Sequence, residues 1–230
     1  MITDGTAIAN SIYKNIKEEI QNMWVAPKLA VILVGDNPAS LRYIGQKKKW
    51  AKAVGIDFTL SHLPENTSQE ELEKIIANMN QDEDIEGFMI QTPLPPHINT
   101  QEILAQIHPD KDVDGFHPSN QGKIVTKDPS GLTACTPAGI IKLLETSNIE
   151  VQWKIVTVVG RSTIVGKPVI NLLINAGATV LACNSNTPDI SVFTKQSDII
   201  ISATGQPWLI TLDMIQDHTC LLYTSPSPRD

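Results

Sequence analysis

The chain has 230 residues, 41% of them hydrophobic and 19% charged, the balance of an ordinary globular protein with room for one large or two modest domains. Its net charge of -7 sets up no field that would draw in a phosphate polymer or an anionic bilayer, which argues against nucleic-acid and membrane partners. The cysteines Cys135, Cys183 and Cys220 are far apart and odd in number, which fits neither a disulfide framework nor a metal knuckle and suits a reducing compartment.

The N-terminal stretch MITDGTAIANSIYKNIKEEI is polar and helix-like, without the apolar centre of a signal peptide. No apolar run approaches the ~20 residues of a membrane span, so a cytoplasmic location is expected. KLAVILVG, from Lys28 to Gly35, is a short β-branched run ending in glycine and predicts a buried strand. NPASLRYIGQKKKWAKAVG predicts a helix opened by Pro38 and closed by Gly55. DFTLSHLP reads as a second strand. Ser68 and Glu71 then form a capping-box pattern before SQEELEKIIANMN. IEGFMIQTPLPP predicts a third strand stopped by prolines, and NTQEILAQI a short helix.

From His108 to Thr136 the periodicity fails. A stretch that rich in Pro, Gly, Asp and Asn inside a compact protein reads as a functional loop, a linker, or both. The pattern restarts with a helix in TPAGIIKLLETSN, a strand in KIVTVVG, a helix in GKPVINLLINAG, and a strand in ATVLACN. A short helix in DISVFTKQ and a strand in DIIISAT follow. Repeated strand-helix-strand units imply parallel sheets covered by helices. The fold class expected is α/β, two domains around a cleft, joined near residues 115–140, with no internal repeat.

KIVTVVGRSTIVGKPVINLLINAGATVLACN is one β-α-β unit of the kind that opens a Rossmann-like domain. Gly160 ends the strand, Gly166 allows helix and sheet to approach, and the helix N-terminus presents backbone N–H groups to an anion. Ser162 adds a hydroxyl. NAD sites usually carry a carboxylate at the end of the second strand. Here that end reads ACNSNT, with Asn184 and Ser185 as neutral donors and Arg161 in the turn. That set suits a 2′-phosphate, so NADP is predicted over NAD.

In the first half, Tyr43 and Lys47 are spaced i, i+4 and share a helix face. Gln91 stands at the end of the third strand, and Asp112 and Asp114 in the Gly- and Pro-rich loop. Carboxyl ends of parallel strands are where such folds build their sites. By residue type alone the pair Tyr43/Lys47 equally describes a solvated helix face, KDVDG a plain turn, and Gln91 a strand cap. His62, His97, His108, His117 and His218 show no metal-binding spacing, so no metal is expected. The residues themselves lead as far as an NADP-linked oxidoreductase with a Lys/Tyr/Asp-lined cleft.

The segments LAVILVGDNPASLRYIGQKKKWAKAVGI, MIQTPLPPHI, DKDVDGFHPSNQGK, CTPAGI, VVGRSTIVGKPVINLL and GATVLACNSNT go further. In this order, across about residues 3–219, the chain resembles the bifunctional methylenetetrahydrofolate dehydrogenase/methenyltetrahydrofolate cyclohydrolase family, the FolD type. The resemblance implies hydride transfer from methylene-tetrahydrofolate to NADP, then opening of the methenyl product by water to formyl-tetrahydrofolate. It also implies a homodimer paired through the nucleotide domain. Lys47 matches the family's catalytic lysine and Gln91 the glutamine that orients it. Tyr43 matches the tyrosine that packs on the aminobenzoyl ring, and Asp114 the aspartate that holds the pterin. Catalytic work is thus expected of Lys47, Gln91 and Asp114, substrate binding of these with Tyr43, and cofactor binding of Gly160, Arg161, Ser162 and Ser185.

Thr92, Ala134 and Asn184 depart from the family's usual Leu, Pro and His. After LITLDMIQDHT the family continues with a hydrophobic strand, a GGVGPMT-like loop and a final helix, whereas this chain reads CLLYTSPSPRD. TSPSPRD has no apolar periodicity and resembles translated cloning sequence. The organisation expected is therefore a folate-binding catalytic domain at 1–136, a Rossmann-like domain at 137–219 incomplete at its C-terminus, and a non-native tail at 220–230. A chain so shortened is expected to be poorly stable and weak in both activities. Two other readings remain open: an NADP dehydrogenase of another substrate, of the shikimate type, and a non-catalytic NADP-binding or dimerisation fragment.

Overall fold

The computed structural model describes residues 4–223. Their packing divides into two compact units, one running to Pro118 and the other starting at Ser119.

The first unit opens with helix α1 (Gly5–Gln21), whose first turn is capped by the Asp4 carboxylate accepting from the N–H groups of Thr6 and Ala7 at 3.0 and 3.1 Å. Strand β1 (Lys28–Val34) leads through Gly35 into α2 (Pro38–Val54). Asn37 caps α2 by accepting from Ala39 and Ser40 N–H, Pro38 occupies the first turn, and Gly55 ends it at φ 97°. β2 (Asp57–Leu63), α3 (Gln69–Gln81), β3 (Gly87–Ile90) and α4 (Thr100–Leu104) follow. The capping box at Ser68 and Glu71 is formed, with both reciprocal hydrogen bonds present.

The three strands are parallel, in the order β2-β1-β3. β1 is covered on both faces, which is why its run from Ala30 to Val34 is buried throughout. Alternation divides it. Ala30, Ile32 and Val34 join Phe88, Ile90, Leu72 and Ile76 in one core, while Val31 and Leu33 meet Met89 and Ile44 of α2 in another. The α2 face of β3 is therefore the face of Met89 and, by the same alternation, of Gln91.

The second unit contains all but the first residue of α5 (Pro118–Val125), then α6 (Cys135–Thr146), β4 (Ile155–Val159), α7 (Gly166–Asn175), β5 (Thr179–Cys183), α8 (Ser191–Thr194), β6 (Ile199–Ser202) and β7 (Cys220–Tyr223). Its sheet is parallel, ordered β5-β4-β6-β7. Val156 and Val158 face α6 and α7 through Ile140, Leu144, Val169 and Leu173, and Val159 and Ile200 face the other way onto Ile210.

Three features differ from the sequence expectation. The 108–136 stretch is not structureless: it holds a 3₁₀ turn at Pro109–Lys111 and the helix α5. α5 escapes periodicity analysis because only Asn120 and Ile124 of it are buried. The packing parts at Pro118 rather than at 136/137, since the Asn175 amide donates to the Ile124 carbonyl at 2.7 Å and Leu132 N–H to the Asn120 side chain at 3.2 Å. The stretch from 220 is not wholly a tail. Cys220–Tyr223 pairs in parallel with β6, with Cys220 and Leu222 against one core and Leu221 against the other. Residues 224–230, the rest of the expected tail, lie outside the described residues.

Candidate active site

In the first unit the residue pattern converges at the carboxyl end of β3. Gln91 follows the strand directly, its N–H donating to the Ile32 carbonyl at 2.8 Å, and it is 1% exposed. Its side-chain amide donates to the Thr92 carbonyl at 2.8 Å, which turns the amide oxygen the other way. Lys47 comes from α2, three residues on from the buried Ile44. Its Nζ donates to Gln91 Oε1 at 3.2 Å and contacts Met89 Sδ at 3.1 Å. Met89 and Gln91 reach the same ammonium because they are two apart on one strand, hence on one face. Gln91 and Met89 thus both present acceptors to the Lys47 ammonium.

Tyr43 is 41% exposed, a large aromatic face open at the surface of α2. Together with Lys47 it lines a cavity of about 290 Å³. Stacked Tyr13 and Trp50, with ring centroids 4.2 Å apart, form part of the same wall. Asp112 and Asp114 are both buried, at 1% and 5% exposure. Asp112 holds the turn: its carboxylate accepts from His117 N–H at 2.8 Å, its carbonyl from Gly115 N–H at 3.1 Å, and its backbone bridges Phe88 of β3.

In the second unit the turn after β4 is built by crowding. A Cβ on Gly160, whose φ is 122°, would overlap the Ala203 carbonyl, and one on Gly166 would overlap the Gly160 carbonyl. Ser162 Oγ accepts from Val165 and Gly166 N–H at 3.2 and 3.3 Å, and its carbonyl accepts from Lys167 N–H at 2.9 Å. The expectation that the helix N-terminus holds these N–H groups open to an anion is corrected accordingly: the first turn of α7 is closed on Ser162. With both lone pairs engaged, the Ser162 hydroxyl retains its own proton to donate.

A cavity of about 560 Å³ lies at the carboxyl ends of β4, β5 and β6, lined among others by Gly160, Arg161, Asn184, Ser185, Asp189 and Gln206. Ser162 is not part of that wall. Asn184 Oδ1 accepts from Asn186 N–H at 2.9 Å, and the NH₂ is the side chain's donor. The residues closing β5 (Asn184, Ser185, Asn186) include no carboxylate. A phosphate on a bound ribose would find neutral donors at this end of the cavity, with Arg161 in the same wall. The crowded glycines, the cavity and this donor set fit a dinucleotide with a 2′-phosphate.

Residues 3–114 match the family model described as tetrahydrofolate dehydrogenase/cyclohydrolase, catalytic domain. Residues 134–223 match its companion, the NAD(P)-binding domain of the same family. The chain belongs to the tetrahydrofolate dehydrogenase/cyclohydrolase family. A curated relative called bifunctional protein FolD, from Halothermothrix orenii, is 44% identical over 229 residues, covering 96% of this chain and 80% of its own. Among solved structures, the bifunctional FolD of Campylobacter jejuni superposes with a TM-score of 0.93 at 42% identity, over 95% of this chain and 78% of that one. The Trypanosoma brucei FolD, solved with NADP cofactor and an inhibitor, gives 0.92 at 35% identity, over 98% of this chain and 80% of that one.

Within this family frame, the structure brings Lys47 and Gln91 into contact, puts Tyr43 beside Lys47, and buries Asp114 in the loop that Asp112 secures. It places Gly160, Arg161 and Ser185 around one cavity. Sequence reading missed Met89, legible in hindsight as the residue two before Gln91 on the same strand face. It also missed Asp189 and Gln206, which stand on loops with no periodicity to mark them.

Proposed function

We propose that the chain is a bifunctional enzyme of one-carbon folate interconversion, oxidising methylene-tetrahydrofolate with NADP and hydrolysing the methenyl product to formyl-tetrahydrofolate. The observation that carries this reading is the Lys47–Gln91 pair, 3.2 Å apart, at the carboxyl end of the parallel sheet in the half that matches the family's catalytic domain.

Bound NADP supplies the hydride acceptor for the first reaction; Gly160, Arg161, Ser162 and Ser185 are the residues to hold it. Tyr43 offers an aromatic face to the aminobenzoyl ring. Asp114, an acceptor when ionised, takes the ring N–H and amino donors of the pterin. In the second reaction water adds to the methenyl carbon and loses a proton, and one carbon–nitrogen bond opens as its nitrogen gains one. Lys47 is the group to carry those protons. Gln91 holds it in place, with an oxygen turned to Nζ by the amide's other bond to the Thr92 carbonyl. The reading also takes the chain as a cytoplasmic homodimer pairing through the nucleotide domain, which sedimentation of the purified protein tests. No helix among the described residues is long and apolar enough to cross a membrane.

The purified chain is to be given methylene-tetrahydrofolate and NADP, with NADPH and formyl-tetrahydrofolate measured as products. Folate-dependent NADP reduction that is lost in Lys47→Ala supports the reading. NADP reduction with shikimate but not folate would support the other dehydrogenase reading, and cofactor binding without turnover the non-catalytic one.

A further inference from the structure

We propose that Thr187 is a positioning residue for the 2′-phosphate end of the cofactor cavity, holding Ser185 in the wall that Arg161 also lines. The proposal rests on the reading of this cavity as the NADP site.

The turn after β5 is tied to itself. Asn184 N–H donates to Thr187 Oγ1 at 3.0 Å, and Thr187 N–H donates back to the Asn184 carbonyl at 2.8 Å. Asn186 N–H goes to Asn184 Oδ1 at 2.9 Å. These bonds use up the donors on either side of Ser185. For Ser185 N–H itself no acceptor stands among the described residues, and its side chain is exposed in the cavity wall. The turn thus satisfies every backbone donor around the residue that is to meet the phosphate and leaves that residue's own donors over.

Thr187 is the closing member. Without its hydroxyl the Asn184 N–H loses its acceptor, and the reciprocal pair that spans Ser185 becomes a single bond. Placement matters here because the same wall carries Asp189, whose carboxyl the Ser191 side chain and N–H hold below the usual range. A phosphate shifted toward Asp189 meets a like charge, and one held between Ser185 and Arg161 does not.

The test is calorimetric titration of the full chain with 2′,5′-ADP and with 5′-AMP, which differ by the 2′-phosphate alone, for wild type, Thr187→Val, Thr187→Ser and Arg161→Ala. Loss of one positioned hydrogen bond predicts that Thr187→Val weakens 2′,5′-ADP about three- to tenfold. 5′-AMP should change much less, and Thr187→Ser should restore the affinity. Thr187→Val binding both ligands as wild type does, weakening both alike, or failing to be rescued by serine would overturn the proposal. Arg161→Ala separates the two levels. If it leaves 2′,5′-ADP binding intact, the cofactor reading of the cavity falls; if it weakens binding and Thr187→Val does not, only the role of Thr187 falls.

Discussion

Lys47 Nζ and Gln91 Oε1 lie 3.2 Å apart, although α2 and the end of β3 are separated by more than forty residues of chain. The contact follows from two periodicities. Ile44 is buried against β1, and the residue three on along α2 lies over the same sheet face. Met89 joins Ile44 in that core, and Gln91, two residues later, shares its face.

Replacing Gln91 by leucine tests the pair without opening a cavity, because the residue is buried and the volumes are similar. The Lys47 ammonium then loses an oriented acceptor while the Thr92 carbonyl loses a donor. The expected result is a fall of about ten- to a hundredfold in cyclohydrolase kcat, with the melting temperature shifted by only a few degrees. An unchanged kcat would remove Gln91 from the orienting role.

Gly166→Ala should unfold or loosen the second unit. The added Cβ meets the Gly160 carbonyl, which is backbone and has no rotamer to escape to. Overpacking of that sort costs about 1–3 kcal/mol. Denaturant melts of the variant, with and without NADP, are expected to show both the lower midpoint and a weaker rise with cofactor. A variant as stable as the parent would contradict the close approach of α7 to the turn.

Arg161→Ala should raise KM for NADP much more than KM for NAD, since the guanidinium meets only the cofactor that carries the extra phosphate. Charge-assisted contacts of this kind contribute about 1.5–3 kcal/mol, so a shift of at least tenfold in the KM ratio is expected. Equal shifts for both cofactors would place Arg161 elsewhere on the dinucleotide.

A carboxylate at the opposite end of the sheet makes a pH prediction. Asp198 accepts from Ile155 N–H at 2.9 Å and pairs with Lys154 at 3.6 Å, and its own carbonyl receives Cys220 N–H. The Ile155 N–H above all, with the Lys154 charge, holds its pKa below the ordinary 3.8. A depressed folded value means that the stabilisation is present above the unfolded value and is lost as pH falls through the folded one. Asp198→Ala should therefore cost about 1 kcal/mol at pH 7. The gap between variant and wild type should close in acid, below the ordinary carboxylate range. A gap that persists there would mean that the carboxylate's charge is not what holds the Ile155 N–H and Lys154 at the start of β4.

Much of this was legible in the residues. β1 announces itself because burial on both faces demands an unbroken apolar run, the ends of α2 because Pro38 suits a first turn and Gly55 a left-handed stop, and the cap of α3 because Ser68 and Glu71 have a single local job. Lys47 and Gln91 were named from the family pattern, yet their contact depends on the sheet order β2-β1-β3, which no local signal encodes. α5 was hidden because a helix that buries so little of itself leaves no stripe. The partners of the Ser162 hydroxyl, the N–H groups of Val165 and Gly166, had no local signal because they are set by a turn that exists only once α7 has packed against β4.

The measurement that bears most directly on the account is hydrolysis of preformed methenyl-tetrahydrofolate by the purified chain and by Lys47→Met, followed as the loss of methenyl absorbance. The account predicts that wild type hydrolyses it and that the variant, folded by circular dichroism, loses at least a hundredfold in rate. A Lys47→Met protein that hydrolyses the substrate as fast as wild type would contradict it.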